Sequence, residues 1–148
     1  MQRTQTLEKL TWIDVEDPDT ETLLALKEKY GFHELDIEDC LSENQRSKVD
    51  EYTDYIFTIL HIPFYDKRRQ RIIGEEVDIF IKANLLITVH WGGLKPLNDF
   101  YDRVEKSLVE RKKIMGHSSG YLLYEITDHL FGSLFPLLDN IEVSVTSL

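Results

Sequence analysis

The segment LTWIDVE, residues 10–16, mixes β-branched and aromatic residues with partial alternation and predicts a strand. The DPDTE that follows closes it with a proline and an aspartate placed to cap a helix. In ETLLALKEKYGF, Leu23, Leu26 and Tyr30 recur at i, i+3 and i+7, so a helix runs to Tyr30, and Gly31 stands where a left-handed C-terminal residue is needed. Leu35, Ile37, Cys40 and Leu41 are spaced closer to a helix than to a strand. That spacing puts Glu34, Asp36, Glu38 and Asp39 on or beside a short helix, whose dipole favours acids in its first turn.

Beyond it, KVDEY and YIFTILHIPFY read as strands, with DKRRQR as a charged turn before IIGEEVDIFI. EEVDIFI and LLITVHW are joined by Lys82, Ala83 and Asn84, which predicts a three-residue hairpin loop with Asn84 in the left-handed position. The result is a mostly antiparallel or mixed sheet. From Leu97 the pattern turns helical through Phe100, Tyr101, Val104 and Leu108. Ser118 or Ser119 caps a last helix bearing Leu122, Leu123, Ile126, Leu130, Leu134 and Leu138, with a kink expected at Pro136. Apolar spacing still runs through Ile141 and Val145 when the chain stops at VTSL, as in a helix that has been cut.

The 148 residues suffice for one domain with a real core, since a chain of this size buries roughly 70% of its unfolded surface. No linker or repeat divides residues 1–148. Charge changes the picture more. With 17 basic against 27 acidic residues, net −10, the chain repels phosphate backbones, which excludes nucleic acid as the expected partner and favours cations. A lone cysteine, Cys40, makes no internal disulfide, and the polar start MQRTQT lacks the apolar run of a signal peptide; together these point to a reducing compartment. No window approaches ~18 consecutive apolar residues.

Few side chains carry a chemical signature. Glu38 and Asp39 are helix neighbours that do not face one another, so they do not clamp one ion alone. They can face different ions or a second surface, which suits Mg²⁺, a hard cation that keeps several waters; from pattern alone a solvated acidic helix start is the simpler account. His33, His61, His90, His117 and His129 are dispersed without zinc-like spacing, and His61 and His90, at strand ends, read as packing or hydrogen-bonding groups. Cys40 lacks a nucleophile signature and reads as a small core residue. Lys67, Arg68, Arg69 and Arg71 read as a solvated hairpin tip, with headgroup or nucleic-acid contact as the competing account. Gly92 and Gly93 mark a turn, and no phosphate-binding glycine motif occurs.

Taken in order, WIDVEDP, FHELDIEDCLSENQRSKVDEYTDYIFTILHIPFY, EEVDIFI with NLLITVH, and YLLYEITDHLFGSLFPLLDNIE resemble the cytoplasmic domain of the CorA family of divalent-cation transporters. The resemblance implies an α+β fold, an αβα sandwich in which a mixed sheet lies between helix layers. It implies a homopentamer, with the domain beneath the pore on the cytoplasmic side of the cell's inner membrane, and no enzymatic activity. It further implies Mg²⁺ as the bound cation, with Co²⁺, Ni²⁺ or Zn²⁺ as alternatives, held between protomers by residues matching Glu38, Asp39 and Asp128 and by a later partner beyond Leu148. Bound cation would hold protomers together, and its loss would free the pore to open.

The motif often written QRPKV in that family is QRSKV here, so Ser47 lacks a proline's restricted φ. The stalk, both membrane helices and a Gly-Met-Asn signature are missing, so these residues alone do not conduct ions. Three other readings remain open at this stage: a zinc or proton-coupled branch of the same superfamily, a stand-alone soluble binding module, and a hydrolase without a recognisable motif.

Overall fold

A computed structural model, which describes residues 1–132 and 134–148, starts with a strand where the polar opening residues gave no signal. β1 (Gln2–Leu7) turns through Glu8, at φ 53°, into β2 (Leu10–Glu16), and the two pair antiparallel from Gln2↔Val15 to Leu7↔Leu10. β1 is an edge strand, and polar side chains there discourage pairing with other chains.

The next elements follow the pattern closely. α1 (Thr20–Tyr30) opens on Asp19, whose carboxylate accepts from the Thr22 N–H at 2.7 Å, and closes on Gly31 at φ 74°. α2 (Glu34–Leu41) leads through a loop to β3 (Lys48–Glu51), β4 (Ile56–Asp66), β5 (Arg71–Lys82) and β6 (Leu85–His90). The β5–β6 loop is shorter than expected: Lys82 pairs with Leu85, leaving Ala83 and Asn84 as the loop, with Asn84 left-handed at φ 65°. The sheet order is β1-β2-β6-β5-β4-β3, with β2 and β6 parallel and every other pair antiparallel, which makes it the mixed sheet expected.

Four more helices complete the described elements, and the first two of them differ from the expectation. The helix expected from Leu97 through Leu108 is two, α3 (Lys95–Lys106) and α4 (Leu108–Met115). Ser107 separates them: its backbone is extended, and its hydroxyl accepts from the Glu110 N–H at 3.2 Å, a hydrogen bond that starts a new helix. α5 (Ser119–Gly132) and α6 (Leu134–Thr146) follow. Pro136 falls in the first turn of α6, where a missing N–H removes no helical hydrogen bond; the junction at Ser133 lies outside the described residues.

Strand alternation sends side chains to two cores. On one face Trp12, Ile62, Val77, Ile79 and Leu86 pack against Leu97, Phe100 and Tyr101 of α3, Ile114 of α4, and Leu122, Ile126 and Leu130 of α5. Trp12 meets the Tyr101 ring edge-on at 4.7 Å. On the other face Ile13, Val15, Phe57, Ile59, Phe80, Ile87 and Val89 pack against Leu23 and Leu26 of α1 and Ile37 and Cys40 of α2. The arrangement is an αβα sandwich, with α1 and α2 on one side of the sheet and α3, α4 and α5 on the other.

Candidate functional site

α2 is short, and its capping explains why it forms. The His33 ring accepts the Leu35 N–H at 3.1 Å, and Glu34 and Asp36 occupy the first turn. Asp36, Ile37 and Cys40 form its buried face, which leaves Glu34, Leu35 and Glu38 outward and Asp39 half-buried at the margin. Asp36 is held from below by the hydroxyls of Tyr55 at 2.7 Å and Tyr52 at 3.1 Å. Burial raises its pKa in spite of those donors. Cys40 is fully buried, and burial pushes its thiol well above the ordinary value, in keeping with a packing role.

Asp39 is bound by Lys48, which reaches across from β3 to 2.5 Å and also meets Asp50 at 3.1 Å. The Asp39 hydrogen bond leads the causes that hold the Lys48 ammonium well above its usual pKa. A second pair of acids lies on the same face of the sheet, on β5. Asp78 is 2% exposed, and burial followed by its neighbour Glu76 pushes its pKa up to about 9. Glu76 accepts the Gln45 N–H at 2.7 Å and lies 3.8 Å from His61, whose other ring nitrogen meets the Ser47 hydroxyl at 2.7 Å. Ser47, which stands where the related motif has proline, is thus tied down by its side chain. A small cavity lined by Glu43, His61, Glu75, Glu76 and Trp91 opens beside this loop.

Asp128 belongs to the opposite layer. α5 buries Leu122, Ile126 and Leu130 against the sheet and turns Asp128 to the surface. Its neighbour His129 instead faces α3, stacked on Phe100 at 4.0 Å and 2.6 Å from Arg103. The sheet therefore lies between Glu38 and Asp39 on one side and Asp128 on the other. Among the described residues no group of three or more His, Cys, Asp or Glu side chains is placed to hold a metal within one copy of the chain.

One polar constellation escaped the pattern reading altogether. Asp14, buried in the middle of β2, accepts from Thr88 at 2.6 Å and Arg3 at 3.1 Å and faces His90 at 3.1 Å. The Trp12 indole N–H donates to Thr88 at 3.2 Å, while Arg3 also reaches Asp102 at 3.0 Å and Asn98 at 2.6 Å on α3. Burial alone would raise the Asp14 pKa, but the His90 hydrogen bond and charge, the Thr88 hydroxyl and Arg3 outweigh it and leave it lowered. This network joins β1, β2, β6 and α3, and His90 is a hydrogen-bonding group as its strand-end position predicted. The visible signal was a carboxylate inside an apolar strand, WIDV.

The chain belongs to the family described as CorA-like Mg²⁺ transporter protein, which it matches over residues 8–148. A putative metal ion transporter, YfjQ of Bacillus subtilis, is 34% identical over 132 residues, covering 88% of this chain and 39% of the relative. The cobalt/magnesium transport protein CorA of Thermotoga maritima is 29% identical over 140 residues, covering 93% of this chain and 39% of the relative. This chain thus spans about two fifths of their length. Its fold matches the soluble domain of CorA from Methanocaldococcus jannaschii with a TM-score of 0.71 at 29% identity, covering 94% of this chain and 54% of that one. The ZntB cytoplasmic domain from Vibrio parahaemolyticus shares the fold alone, at TM-score 0.67 and 17% identity over 93% of this chain and 54% of the other. No helix among the described residues is long and apolar enough to cross a membrane.

Proposed function

We propose that residues 1–148 form one regulatory domain of a divalent-cation transporter, lying on the cytoplasmic side of the membrane and sensing Mg²⁺ through cations bound between neighbouring copies of the chain. In this reading Glu38 and Asp39 of one copy face Asp128 of the next, within a homopentamer, and loss of the ion loosens the contact and favours an open pore. The domain regulates and does no catalysis; Co²⁺, Ni²⁺ and Zn²⁺ are the other cations its oxygen donors could hold.

The observation that carries the proposal is the position of the acids on two outer layers. Glu38 and Asp128 are exposed and make no hydrogen bond or ion pair with any described residue. Carboxylates on opposite faces of one copy can meet only through a second copy, and like charges brought together there repel unless a cation lies between them. The donor set fits the ion, since exposed carboxylate oxygens suit a hard cation that retains water. Asp39 enters with one oxygen already held by Lys48, so the cation must use the other oxygen or displace the ammonium.

Mg²⁺ titration followed by amide NMR tests the assignment. Residues around Glu38, Asp39 and Asp128 should shift together and saturate, and Asp128→Asn should abolish the shifts at α2 as well as at α5. Silence at those positions while acidic surface elsewhere drifts would overturn it.

A further inference from the structure

We propose that the β4–β5 arm is a membrane-docking element that seats its basic tip on anionic lipid headgroups. β3 pairs with β4 only as far as Ile59, and β6 pairs with β5 only from Val77. From His61↔Glu76 out to Asp66↔Arg71 the two strands pair with each other and with no other strand. At about 3.3 Å per residue that ribbon carries its tip about 20 Å past the end of the shared sheet.

The tip reverses the charge of the chain. Lys67, Arg68, Arg69 and Arg71 stand against the single Asp66 in a molecule of net −10. Asp66 accepts from the backbone N–H groups of Arg68 at 2.9 Å and Arg69 at 3.4 Å, and its other oxygen pairs with Arg69 at 3.5 Å, so it orders the turn and neutralises one cation. Lys67, Arg68 and Arg71 make no ion pair with a described residue and are exposed. Directly behind them Tyr65 and its cross-strand partner Ile72 are exposed on one face of the ribbon and Phe64 on the other, so both faces carry apolar surface next to the cations.

Cations in front of exposed aromatic and aliphatic side chains match the chemistry of a bilayer interface, where basic groups meet anionic headgroups and Tyr and Phe lie at their level. A purely acidic protein surface would satisfy the cations and leave the apolar flank in water. The shared sheet ends farther from the tip than the screening length of about 8 Å at physiological salt. α6, which lines a groove with Tyr65, brings only Asp139 and Glu142 to the side of the arm, against the three cations at the tip that have no ion pair with a described residue.

Sedimentation of the chain with lipid vesicles, in metal-free buffer containing a chelator, tests the proposal apart from the cation site on α2 and α5. The chain should pellet with vesicles of equal parts phosphatidylglycerol and phosphatidylcholine, stay in solution with phosphatidylcholine alone, and dissociate as salt rises. At about fivefold per cation, the combined Lys67→Gln, Arg68→Gln and Arg71→Gln variant should bind about a hundredfold more weakly. Phe64→Ser with Ile72→Ser should weaken binding at every salt concentration. All five side chains are exposed or near exposed, so an unchanged circular dichroism spectrum will separate lost docking from lost folding. No pelleting with anionic vesicles, or unchanged pelleting of the triple variant, overturns the proposal. So does selective displacement by inorganic phosphate over chloride at matched ionic strength, or a triple variant that loses self-association or DNA binding while keeping the vesicles.

Discussion

Asp14 and Asp78 are both buried carboxylates, on opposite faces of the sheet, and their partners shift them in opposite directions. The folded pKa of Asp14 lies below its unfolded value of about 3.9, so the stability it contributes is complete above that pH and is lost as pH falls through the folded pKa. Asp14→Asn leaves Arg3 and His90 without their carboxylate and should destabilise the chain by about 3–5 kcal/mol in urea unfolding at pH 7. A loss under about 1 kcal/mol would show that the network does not hold the strands. For Asp78 the sign is the reverse. Between about pH 4 and about 9 the unfolded chain has released a proton that the folded chain keeps, so this group lowers stability steadily as pH rises across that window. Asp78→Asn cannot ionise, and its urea midpoint should change less between pH 5 and 9 than that of the wild type; equal slopes would mean that Asp78 is ionised throughout.

Helix ends are decided by single residues whose neighbours can be named. Ser107→Ala removes the hydroxyl that starts α4 and should cost about 1 kcal/mol. Gly31→Ala meets no atom within 4 Å, so its penalty of about 1 kcal/mol is the left-handed backbone alone. Gly116→Ala should be the most damaging of the three, because a β-carbon there runs into the backbone carbonyl of Lys112. Thermal midpoints of the three variants check that order, and a Gly116→Ala midpoint above that of Gly31→Ala would contradict it. Of these three sites the apolar pattern marks only Gly31. α1, α2, β2, β4, β5 and β6 were legible because their own apolar periodicity matches the face each one buries. β1 was not, because an edge strand of Gln and Thr gains its place from Val15 and Ile13 across the ladder. The α3–α4 break was missed because Leu108 continues the helical spacing although it is exposed on a new helix.

At the scale of the whole molecule, the acidity of α2 could be read directly from ELDIEDC, whereas the grouping of Glu38 and Asp39 with Asp128 came from family resemblance. No local spacing conveys that the sheet separates them, nor that Lys48, nine positions from Asp39, is brought onto it by β3. Asp78 and Glu76 did carry a signal, since residues two apart on a strand share a face. The separation of α2 from α5 makes the proposed contact head-to-tail: each copy offers one half-site of each kind, as a ring requires. Mixing variants tests this geometry. Copies carrying Glu38→Gln with Asp39→Asn keep only Asp128, and copies carrying Asp128→Asn keep only the α2 acids. Each variant alone should remain monomeric at Mg²⁺ concentrations that associate the wild type, as read by sedimentation velocity at high protein concentration. Their mixture restores one complete interface per pair and no more, so it should stop at dimers while the wild type proceeds to larger species. Association of either variant alone would place the cation contact elsewhere. Larger species in the mixture would mean that both half-sites do not come from different copies, since a chain with only one intact half-site cannot be extended at both ends.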